Sequence, residues 1–388
     1  MTKKNILIFL NTYVPGYKSG GPVQAIKNLV ENLGESYNFY VVTRDRDFGE
    51  TNAYPNIEYG VFQQVGKAKV MYLAPRERNF KNYLNIINQT DFALFYLQSF
   101  WNFKFSILPL MALLKSAKRN LPVLIHPRGE FYPGALKQKA FKKRFVLLLW
   151  KISGLYKKVF FNVSSEEEKQ NIIELFGKDC NKQIKIAMDF PKQYPIIDYN
   201  KEFSLPLKLV FLARIDPKKN LLFLIEIVKK LKIEVLLDIY ASVSDQEYWQ
   251  KCQNALQNTS KNIAINYKGI LPHNQIQEVL SKYDLYCFLT KGENFGYTIH
   301  EALASALPVI ISDKTIWHDL AKYNAGWEIP LSKPQEFIEK IKEYQAKTDK
   351  EKLAMRKGAL AYAQAMAKDE KILNDNKNMF DLLMEGRC

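Results

Sequence analysis

The chain has 388 residues, of which 47% are hydrophobic and 13% aromatic, and its formal net charge is +16. This hydrophobic content excludes a disordered chain, and the length indicates two domains. The longest apolar run, 107–114, is interrupted by Pro109 and is far shorter than the roughly 20 residues that a membrane-spanning helix needs. The apolar run in 1–10 is shorter than that of an export signal, so we interpret it as a first strand.

Short β-branched or aromatic runs alternate with amphipathic segments along most of the chain. The predicted strands are 5–10, 39–43, 70–73, 92–97, 122–125 and 159–163 in the first half, and 208–213, 235–240, 263–267, 285–289 and 309–312 in the second. The predicted helices are 22–33, 80–87, 105–118, 138–150, 221–231, 247–257, 276–281, 299–306, 334–344, 350–366 and 370–384. This alternation predicts an α/β fold with two Rossmann-like, doubly wound parallel-sheet domains facing a central cleft, where the ligand binds.

Two short loops follow the first two predicted strands. Gly20-Gly21 precede the helix at Pro22, and paired glycines allow a phosphate or an acceptor to approach the helix N-terminus closely, although many helices begin this way for folding reasons alone. Asp45-Arg46-Asp47 superficially resembles a D-x-D metal signature, but the neighbouring arginines favour two solvated carboxylates. The cysteines have no paired spacing, which indicates neither disulfides nor a zinc site and fits a reducing compartment. We predict no bound metal and no cofactor.

The excess positive charge is concentrated in the segment 103–158. It contains 13 Lys and Arg residues and a single acidic residue, Glu130. The basic residues Lys137, Lys139, Lys142, Lys143 and Arg144 precede the apolar run 145–150, and Lys151, Lys157 and Lys158 follow it. This pattern suits an anionic membrane surface. The alternative is that the apolar run is ordinary core and the lysines keep the domain soluble; nucleic acid fits less well, because aromatic residues are not interleaved with the basic ones.

Polar residues follow the predicted strand at 122–125. His126 comes directly after it, and Arg128 and Glu130 follow two and four residues later. A lone histidine in this position is more often a satisfied loop residue than a catalyst. Arg128 could bind an acceptor phosphate or form a structural ion pair with Glu130.

The Pro-containing stretch 190–206 separates the two alternating halves and is the predicted linker. After the next strand, Arg214 and Lys219 offer a forked donor and a point charge for a diphosphate. The alternative is a solvated basic loop that precedes a helix, and we expect Lys218 to face solvent.

The most informative segment is 291–312, in which Glu293 and Glu301 are eight residues apart. Gly296, at the start of a helix, lets an anion approach, and the N–H groups of Tyr297 and Thr298 suit a pyrophosphate. Glu301 could bind a ribose diol and Glu293 a hexose hydroxyl. Taken singly, the two glutamates are more often a turn residue and part of a solvated helix face than ligand-binding groups.

The whole segment resembles the E-x7-E signature of retaining glycosyltransferase family 4, whose members have the GT-B fold. Here the signature runs from Glu293 to Glu301 and is followed by Pro308-Val309-Ile310, with Ala306 where the family usually has glycine. Residues 213–220 resemble the family's G-R-x-x-x-x-K-G segment, with Ala213 and Asn220 in place of the glycines. Further similarities at 99–101, 127–134 and 317–327 are typical of bacterial enzymes that build O-antigen and capsule.

The resemblance implies a set of roles for particular residues. Glu293 contacts the donor sugar, Glu301 the ribose and the backbone of Phe295–Thr298 the phosphates, while Arg214 and Lys219 neutralise the departing diphosphate. In the first half, the resemblance implies that Gly20 and Gly21 form a Gly-rich substrate loop and that His126 positions the donor hexose. Metal-independent, front-face transfer is the mechanism implied.

The resemblance also implies a domain division and a function. We expect an acceptor domain at 1–195, joined by a C-terminal helix at 370–388, and a donor domain at 200–369. The expected activity is retaining transfer of a hexose from a nucleotide-diphosphate sugar, UDP favoured, to a lipid-linked glycan on the cytoplasmic face of the plasma membrane. The alternatives are a sugar-nucleotide epimerase of the same fold and a non-enzymatic protein that binds membrane or nucleic acid.

Overall fold

The computed structural model describes residues 2–137, 140–198, 200–257 and 259–386. The chain divides into two compact units: the first contains Met1–Lys192 and Asp369–Cys388, and the second contains Gln193–Lys368. This division lies a few residues before the predicted boundary at 195–200. Of the predicted C-terminal helix 370–388, the part that is helical is Glu370–Met384, and residues 387–388 lie outside the described residues.

The first unit contains an eight-stranded sheet. Its strands are β1 (Lys4–Phe9), β2 (Tyr37–Arg44), β3 (Phe62–Val65), β4 (Ala68–Leu73), β5 (Leu94–Leu97), β6 (Val123–Ile125), β7 (Phe160–Val163) and β8 (Ile184–Ile186). Their order is β3-β4-β2-β1-β5-β6-β7-β8, and all neighbours are parallel except β3 and β4. Its helices are α1 (Gly21–Leu33), α2 (Phe80–Gln89), α3 (Leu108–Lys115), α4 (Pro133–Lys137), α5 (Ala140–Ser153) and α6 (Glu166–Phe176).

The second unit contains a six-stranded, fully parallel sheet. Its strands are β9 (Leu207–Leu212), β10 (Val235–Tyr240), β11 (Ile263–Gly269), β12 (Leu285–Phe288), β13 (Val309–Ser312) and β14 (Gly326–Ile329), in the order β11-β10-β9-β12-β13-β14. Its helices are α7 (Leu221–Lys229), α8 (Gln246–Leu256), α9 (Ile276–Ser281), α10 (Tyr297–Ala304), α11 (Pro334–Ala346) and α12 (Asp349–Ala367). Helix α13 (Glu370–Met384) returns to the first unit.

The buried faces explain why these segments form these elements. The central strand β1 has four consecutive buried residues, as expected for a parallel strand covered on both faces. Helix α13 buries Met379, Phe380 and Leu383, and the Tyr37 hydroxyl donates a hydrogen bond to Asp381 at 2.8 Å. The final helix is therefore part of the hydrophobic core of the first unit.

The prediction for 105–118 is wrong at its start. A π-helical turn occupies Phe103–Ile107, and α3 begins only at Leu108, because Pro109 has no N–H to donate and fits only the first helical turn. The short elements β3, α4, β8 and β14 were not predicted, since each has too few apolar residues to show a period. Helix α6, with 11 residues, was also missed, because its first six residues are all polar. Among the described residues, no helix is both long and apolar enough to cross a bilayer.

Candidate active site

Two loops meet at the carboxyl ends of the neighbouring strands β9 and β12. The Lys291 N–H donates to the Lys218 carbonyl at 2.8 Å, and the Asn220 side-chain amide donates to the Leu289 carbonyl at 2.9 Å. The Thr290 hydroxyl lies 3.0 Å from the same Lys218 carbonyl. Because parallel strands end at one edge of the sheet, the 213–220 and 290–296 segments become a single surface.

The central contact of this surface is an ion pair between Lys219 and Glu293, whose side chains are only 14% and 13% exposed. Burial alone would raise the pKa of Glu293, but the charges of Lys219, Lys218 and Arg214 outweigh burial and lower it. Glu293 is therefore held as a carboxylate. Its backbone N–H donates to the Lys314 carbonyl at 3.0 Å, which fixes the turn.

Three cations thus surround one buried carboxylate. Arg214 is exposed, whereas Lys218 and Lys219 are half-buried. Lys218 is partly exposed, and its charge also acts on Glu293. The backbone N–H groups of Lys218 and Lys219 donate to Asp216 and fix the loop. The interpretation of 213–220 as a solvated basic loop does not account for this arrangement.

The N-terminus of α10 lies next in the chain. Gly296 has φ +80°, and a Cβ atom there would lie 2.9 Å from Ile299 Cδ1 and 3.3 Å from Trp317 Nε1. Phe295 is buried, and its carbonyl accepts a hydrogen bond from the Trp317 indole at 2.6 Å. Glycine is required here by both conformation and space, and the turn directs the positive end of the α10 dipole outward.

The first residues of α10 are held from the sheet side. Thr298 Oγ1 lies 2.8 Å from the Tyr286 hydroxyl, which donates to the Leu212 carbonyl at 3.1 Å. Tyr297 is half-buried, and its ring centroid lies 4.5 Å from that of Phe295. The strands β9 and β12 therefore fix the position of the helix N-terminus.

Glu301 is buried rather than on a solvated helix face, at 5% exposure. The Tyr194 hydroxyl donates to Glu301 Oε1 at 3.2 Å, and His273 Nδ1 lies 3.6 Å from the same oxygen. Burial, together with the Glu301 charge, raises the pKa of Tyr194, so this phenol remains a hydrogen-bond donor. The Tyr194 hydroxyl thus already donates a hydrogen bond to the carboxylate that we predicted would bind a ribose diol.

Two of the three positions where glycine is replaced, Asn220 and Ala306 but not Ala213, have left-handed backbone. Asn220 has φ +60° and Ala306 has φ +52°. Asparagine adopts this conformation readily, whereas alanine does so at a cost of about 1 kcal/mol. The loop geometry that glycine would give is therefore retained in this chain.

In the first unit, Gly20 and Gly21 lie where β1 leads into α1. Gly20 has φ +67°, and a Cβ atom there would meet nothing within 4 Å, so the turn is open. The N–H groups of Tyr17 and Lys18 donate to the Asp47 carboxylate at 2.8–3.2 Å, which holds the preceding loop. The glycines therefore lie at an accessible helix N-terminus.

His126 follows β6 and is fully buried. Its Nδ1 lies 3.4 Å from the Tyr96 hydroxyl and 4.0 Å from Asp189, while its Nε2 has no hydrogen-bond partner. Burial, with a smaller contribution from the Arg128 charge, keeps the pKa of His126 well below its ordinary value. The imidazole is therefore neutral and can donate or accept a hydrogen bond.

Arg128 forms an ion pair with Asp189 at 2.6 Å, and not with Glu130, which was one of the two alternatives for this residue. Its guanidinium also donates to Gln98 Oε1 at 2.6 and 3.1 Å. Glu130 instead accepts hydrogen bonds from the Ser99 hydroxyl and the Phe100 N–H at 2.7 and 2.6 Å. The Glu130 carboxylate is thus satisfied by the loop after β5.

A cavity of about 230 Å³ opens beside these residues. It is lined from within the first unit by the ends of β1 and β5, by Ser19 and Pro22 at the start of α1, and by Arg128. Two of its lining groups, Gln98 Nε2 and Ser106 Oγ, are buried without a hydrogen-bond partner. Such atoms are the ones that a polar ligand would satisfy.

Asp45 and Asp47 are buried rather than solvated, at 1% and 6% exposure. Asp45 forms ion pairs with Arg46 at 2.8 Å and Arg78 at 2.7 Å, and Asp47 binds the loop described above. The expectation of solvated carboxylates is wrong because the flanking arginines and backbone N–H groups satisfy both when buried. The described residues contain no group of three or more His, Cys, Asp or Glu side chains that could hold a metal.

Several site residues were not found from the sequence. Asp189 follows β8, just as His126 follows β6. Recognising β8 in the sequence would therefore have placed Asp189 and His126 at the same edge of the sheet. Gln98 likewise comes directly after β5. Trp317, which binds the carbonyl before α10, gave no local signal, because its role depends on a contact across 22 positions.

The two parallel-sheet units can be compared with the folds of known proteins. Among solved structures, the chain resembles HepE of Anabaena in complex with UDP and glucose, with a TM-score of 0.66, 14% identity, and coverage of 98% of this chain and 100% of that one. It also resembles sucrose-phosphate synthase of Thermosynechococcus elongatus, with a TM-score of 0.70, 14% identity, and coverage of 99% and 100%. The fold is therefore GT-B, which confirms the predicted fold class.

A sequence-family match covers most of the second unit. Residues 198–360 match the family described as glycosyl transferases group 1. A curated relative, the GtfA subunit of a UDP-N-acetylglucosamine–peptide N-acetylglucosaminyltransferase from Streptococcus gordonii, is 27% identical over 154 residues. The match spans 39% of this chain and only 29% of that relative. The glycosyl transferases group 1 match contains both loops of the site in the second unit.

Proposed function

We propose that the protein is a retaining glycosyltransferase that moves a hexose-type sugar from a nucleotide-diphosphate sugar, UDP favoured, to a glycan hydroxyl. The observation that carries this proposal is the ion pair of Lys219 and Glu293, only 14% and 13% exposed, which lies beside two further cations and is followed in the chain by the N-terminus of α10. A buried carboxylate among cations at the carboxyl ends of β9 and β12 suits a ligand with both hydroxyls and a diphosphate.

The donor is held in the proposal by charge and by hydrogen bonding. Arg214, Lys218 and Lys219, with the N–H groups at the start of α10, neutralise the diphosphate. Glu293, kept ionised by those cations, accepts a hydrogen bond from a hexose hydroxyl. Glu301 accepts hydrogen bonds from the ribose, whose hydroxyls replace the Tyr194 phenol.

Catalysis in this proposal is electrostatic and needs no bound metal. As the bond between the sugar and the diphosphate breaks, negative charge develops on the leaving oxygen, and Lys219 and Arg214 stabilise it. The departing diphosphate helps to deprotonate the incoming hydroxyl on the same face, which retains the anomeric configuration. Groups that are already in position require little reorganisation during the reaction.

We assign acceptor binding to the first unit. The cavity beside Arg128 presents two unsatisfied polar groups, Gln98 Nε2 and Ser106 Oγ, which suit sugar hydroxyls. The neutral imidazole of His126 could hydrogen-bond a sugar hydroxyl without adding charge. We propose a lipid-linked oligosaccharide of surface-polysaccharide synthesis as the acceptor, with the enzyme on the cytoplasmic face of the plasma membrane.

The preference for UDP draws support from similar proteins. HepE was solved with UDP and with UDP-glucose, and the GtfA relative carries UDP-N-acetylglucosamine in its name. Saturation-transfer NMR with UDP-, GDP- and ADP-sugars in the presence of EDTA tests this choice. We expect the UDP-sugars to bind best and binding to survive EDTA.

Three variants test the site itself. Lys219→Ala should weaken UDP-sugar binding at least about tenfold, because a buried charge partner of the diphosphate is lost. Glu293→Gln and Glu301→Gln should abolish turnover while the protein remains folded, and the exposed Lys230→Ala is the matched control. Unchanged turnover in both glutamine variants would contradict the assignment. Release of an epimerised sugar nucleotide without acceptor would favour the epimerase instead.

A further inference from the structure

Helix α5 presents five large apolar side chains to solvent. Phe141, Phe145, Leu148, Leu149 and Ile152 are 87%, 57%, 52%, 48% and 75% exposed. Their three- and four-residue spacings place them on one face of the helix. We call these five residues the apolar stripe. Single exposed apolar residues are ordinary, but a continuous stripe of this kind marks an interaction surface.

The opposite face of α5 anchors the helix to the first unit. Leu147 and Trp150 are buried, and the Trp150 ring centroid lies 4.5 Å from that of Phe100. Because the helix already packs its other face into the core, the apolar stripe cannot turn inward without breaking these contacts. Its exposure is therefore a property of the folded unit.

Basic residues border the apolar stripe on both sides. Helical geometry places Lys142 on one flank and Arg144 and Lys151 on the other, and all three are exposed. Lys157 and Lys158, also exposed, follow the helix. The single acidic residue in 103–158, Glu130, is engaged by the Ser99 hydroxyl and the Phe100 N–H rather than by these cations.

One member of the predicted basic cluster does not belong to this surface. The Lys143 ammonium donates to the Ala135 carbonyl at 2.7 Å and lies 5.4 Å from the centre of the Trp101 ring. Lys143 thus holds α5 against Ala135 and Trp101 of the same unit. Lys139 lies outside the described residues, and the side chain of Lys137 is not described either.

The charge pattern selects among the possible partners. Two copies of this chain would bring their basic flanks together, so self-association through the apolar stripe is opposed by like charges. Nucleic acid would engage the basic flanks but leave the five apolar side chains in water. An anionic lipid surface satisfies both features, because headgroups meet the cations and acyl chains take up the apolar stripe.

We propose that α5 is a membrane-docking helix that lies in the plane of an anionic bilayer and inserts the apolar stripe below the headgroups. Snorkelling of Lys142, Arg144 and Lys151 to the phosphates fixes its depth. This inference goes beyond the proposed glycosyl transfer and does not rest on it. Vesicle binding is measured without donor or acceptor, so either proposal can fail while the other stands.

The test is co-sedimentation of the full chain with vesicles. One set contains phosphatidylcholine alone, and the other contains equal parts of phosphatidylcholine and phosphatidylglycerol. We expect binding only to the second set, with weaker binding as salt is raised. In a Phe141→Trp variant, the added fluorescence should shift to the blue and be quenched by brominated acyl chains, because insertion places the ring below the headgroups.

Two variants separate insertion from charge. Phe141→Ser with Ile152→Ser should weaken vesicle partitioning at least about tenfold, because two of the most exposed apolar side chains no longer insert. Lys142→Gln, Arg144→Gln and Lys151→Gln together should weaken it about 100-fold. The controls are Ile270→Ser and the triple variant Lys230→Gln, Lys232→Gln and Lys261→Gln, which alter exposed residues of the second unit and should bind like the parent.

The following outcomes would overturn the proposal. Equal binding to both vesicle sets would show that the protein does not recognise anionic lipid. Full binding by the Phe141/Ile152 variant would show that the apolar stripe does not insert. A dimer in solution that this variant dissociates would make the apolar stripe an interface between copies. Tight binding to duplex DNA that only the charge variant loses would indicate nucleic acid. Circular dichroism and thermal unfolding of each variant show that the fold is retained.

Discussion

The ion pair of Lys219 and Glu293 joins residues 74 positions apart, and both side chains are largely shielded from solvent. Burial opposes ionisation of Glu293, and three nearby cations reverse that effect. The same reasoning applies to His126, for which burial and Arg128 act in one direction and leave the imidazole neutral. The charge state of each of these residues is decided by its burial together with the charged groups around it.

Neutral His126 predicts a pH dependence of stability. Its pKa in the folded protein lies well below 6.5, so the unfolded chain takes up the proton first as the pH falls, and stability is lost below that value. Relative to His126→Gln, the parent should lose about 1.4 kcal/mol of unfolding free energy between about pH 7.5 and about pH 5.5. Urea denaturation of both proteins at the two pH values measures this difference.

The comparison with the variant is needed because a second group acts in the opposite direction. Burial raises the pKa of Glu168 to about 7, so its protonation stabilises the folded state as the pH falls below that value. This contribution is common to both proteins and cancels in the difference. An unfolding free energy of the parent, measured relative to that of the variant, that stays constant or that falls as the pH rises would contradict a neutral buried His126.

At the scale of elements, the N-terminus of α10 depends on Gly296. Gly296→Ala should destabilise the protein by about 1–2 kcal/mol and weaken UDP-sugar binding, because an L-residue is strained at φ +80° and its Cβ atom displaces Ile299 or Trp317. Thermal unfolding and a ligand titration measure the two effects.

Gly269→Ala is the matched control for this prediction. Gly269 has φ +77° and open space around it, so the variant should lose stability from strain alone and keep its affinity for the donor. Equal affinity in both variants would show that α10 does not contact the ligand.

A second prediction at this scale concerns Gly358, inside helix α12, where we expect glycine to make the protein more stable than alanine would. A Cβ atom on Gly358 would lie 2.7 Å from the Asn324 carbonyl oxygen and closer still to that of Tyr323. Gly358→Ala, which raises helix propensity, should therefore destabilise the protein by about 2 kcal/mol. The exposed neighbour Lys357→Ala should stay within about 0.5 kcal/mol of the parent. Chemical denaturation of the two variants distinguishes the effect of helix propensity from that of packing. A Gly358→Ala protein that is more stable than the parent would contradict the close contact between residue 358 and the carbonyl groups of Tyr323 and Asn324.

At the scale of the whole molecule, α13 stabilises the first unit from the far end of the sequence. Phe380 is fully buried, and its ring centroid lies 5.5 Å from that of Tyr37 and 5.8 Å from that of Tyr96. Phe380→Ala should cost about 3–5 kcal/mol of unfolding free energy, since a large cavity is left. Chemical denaturation measures this loss.

The proposed donor site should be unaffected by that change, because its residues belong to the second unit. We therefore expect the folded fraction of Phe380→Ala to bind UDP-sugar with the parent's affinity. Leu382→Ala, on the same helix but 37% exposed, is the control for stability. A donor affinity that falls with Phe380→Ala alone would contradict the independence of the two sites.

The sequence by itself determined the alternation of strands and helices and the position of the donor loops. Periodicity revealed the longer elements, and the glycines and prolines marked turns such as the one at Gly296, because these signals act over a few residues. The short strands β8 and β14 have no such period and were missed. The E-x7-E spacing placed Glu293 and Glu301 correctly on a turn and a helix.

Only the tertiary structure decided which side chains are buried together and which remain exposed. It paired Arg128 with Asp189, brought Lys218 to the Glu293 carboxylate, and divided α5 into a core face with Trp150 and the exposed apolar stripe. The physical reason is that burial and charge pairing depend on neighbours far away in the chain, and local sequence patterns contain no information about them.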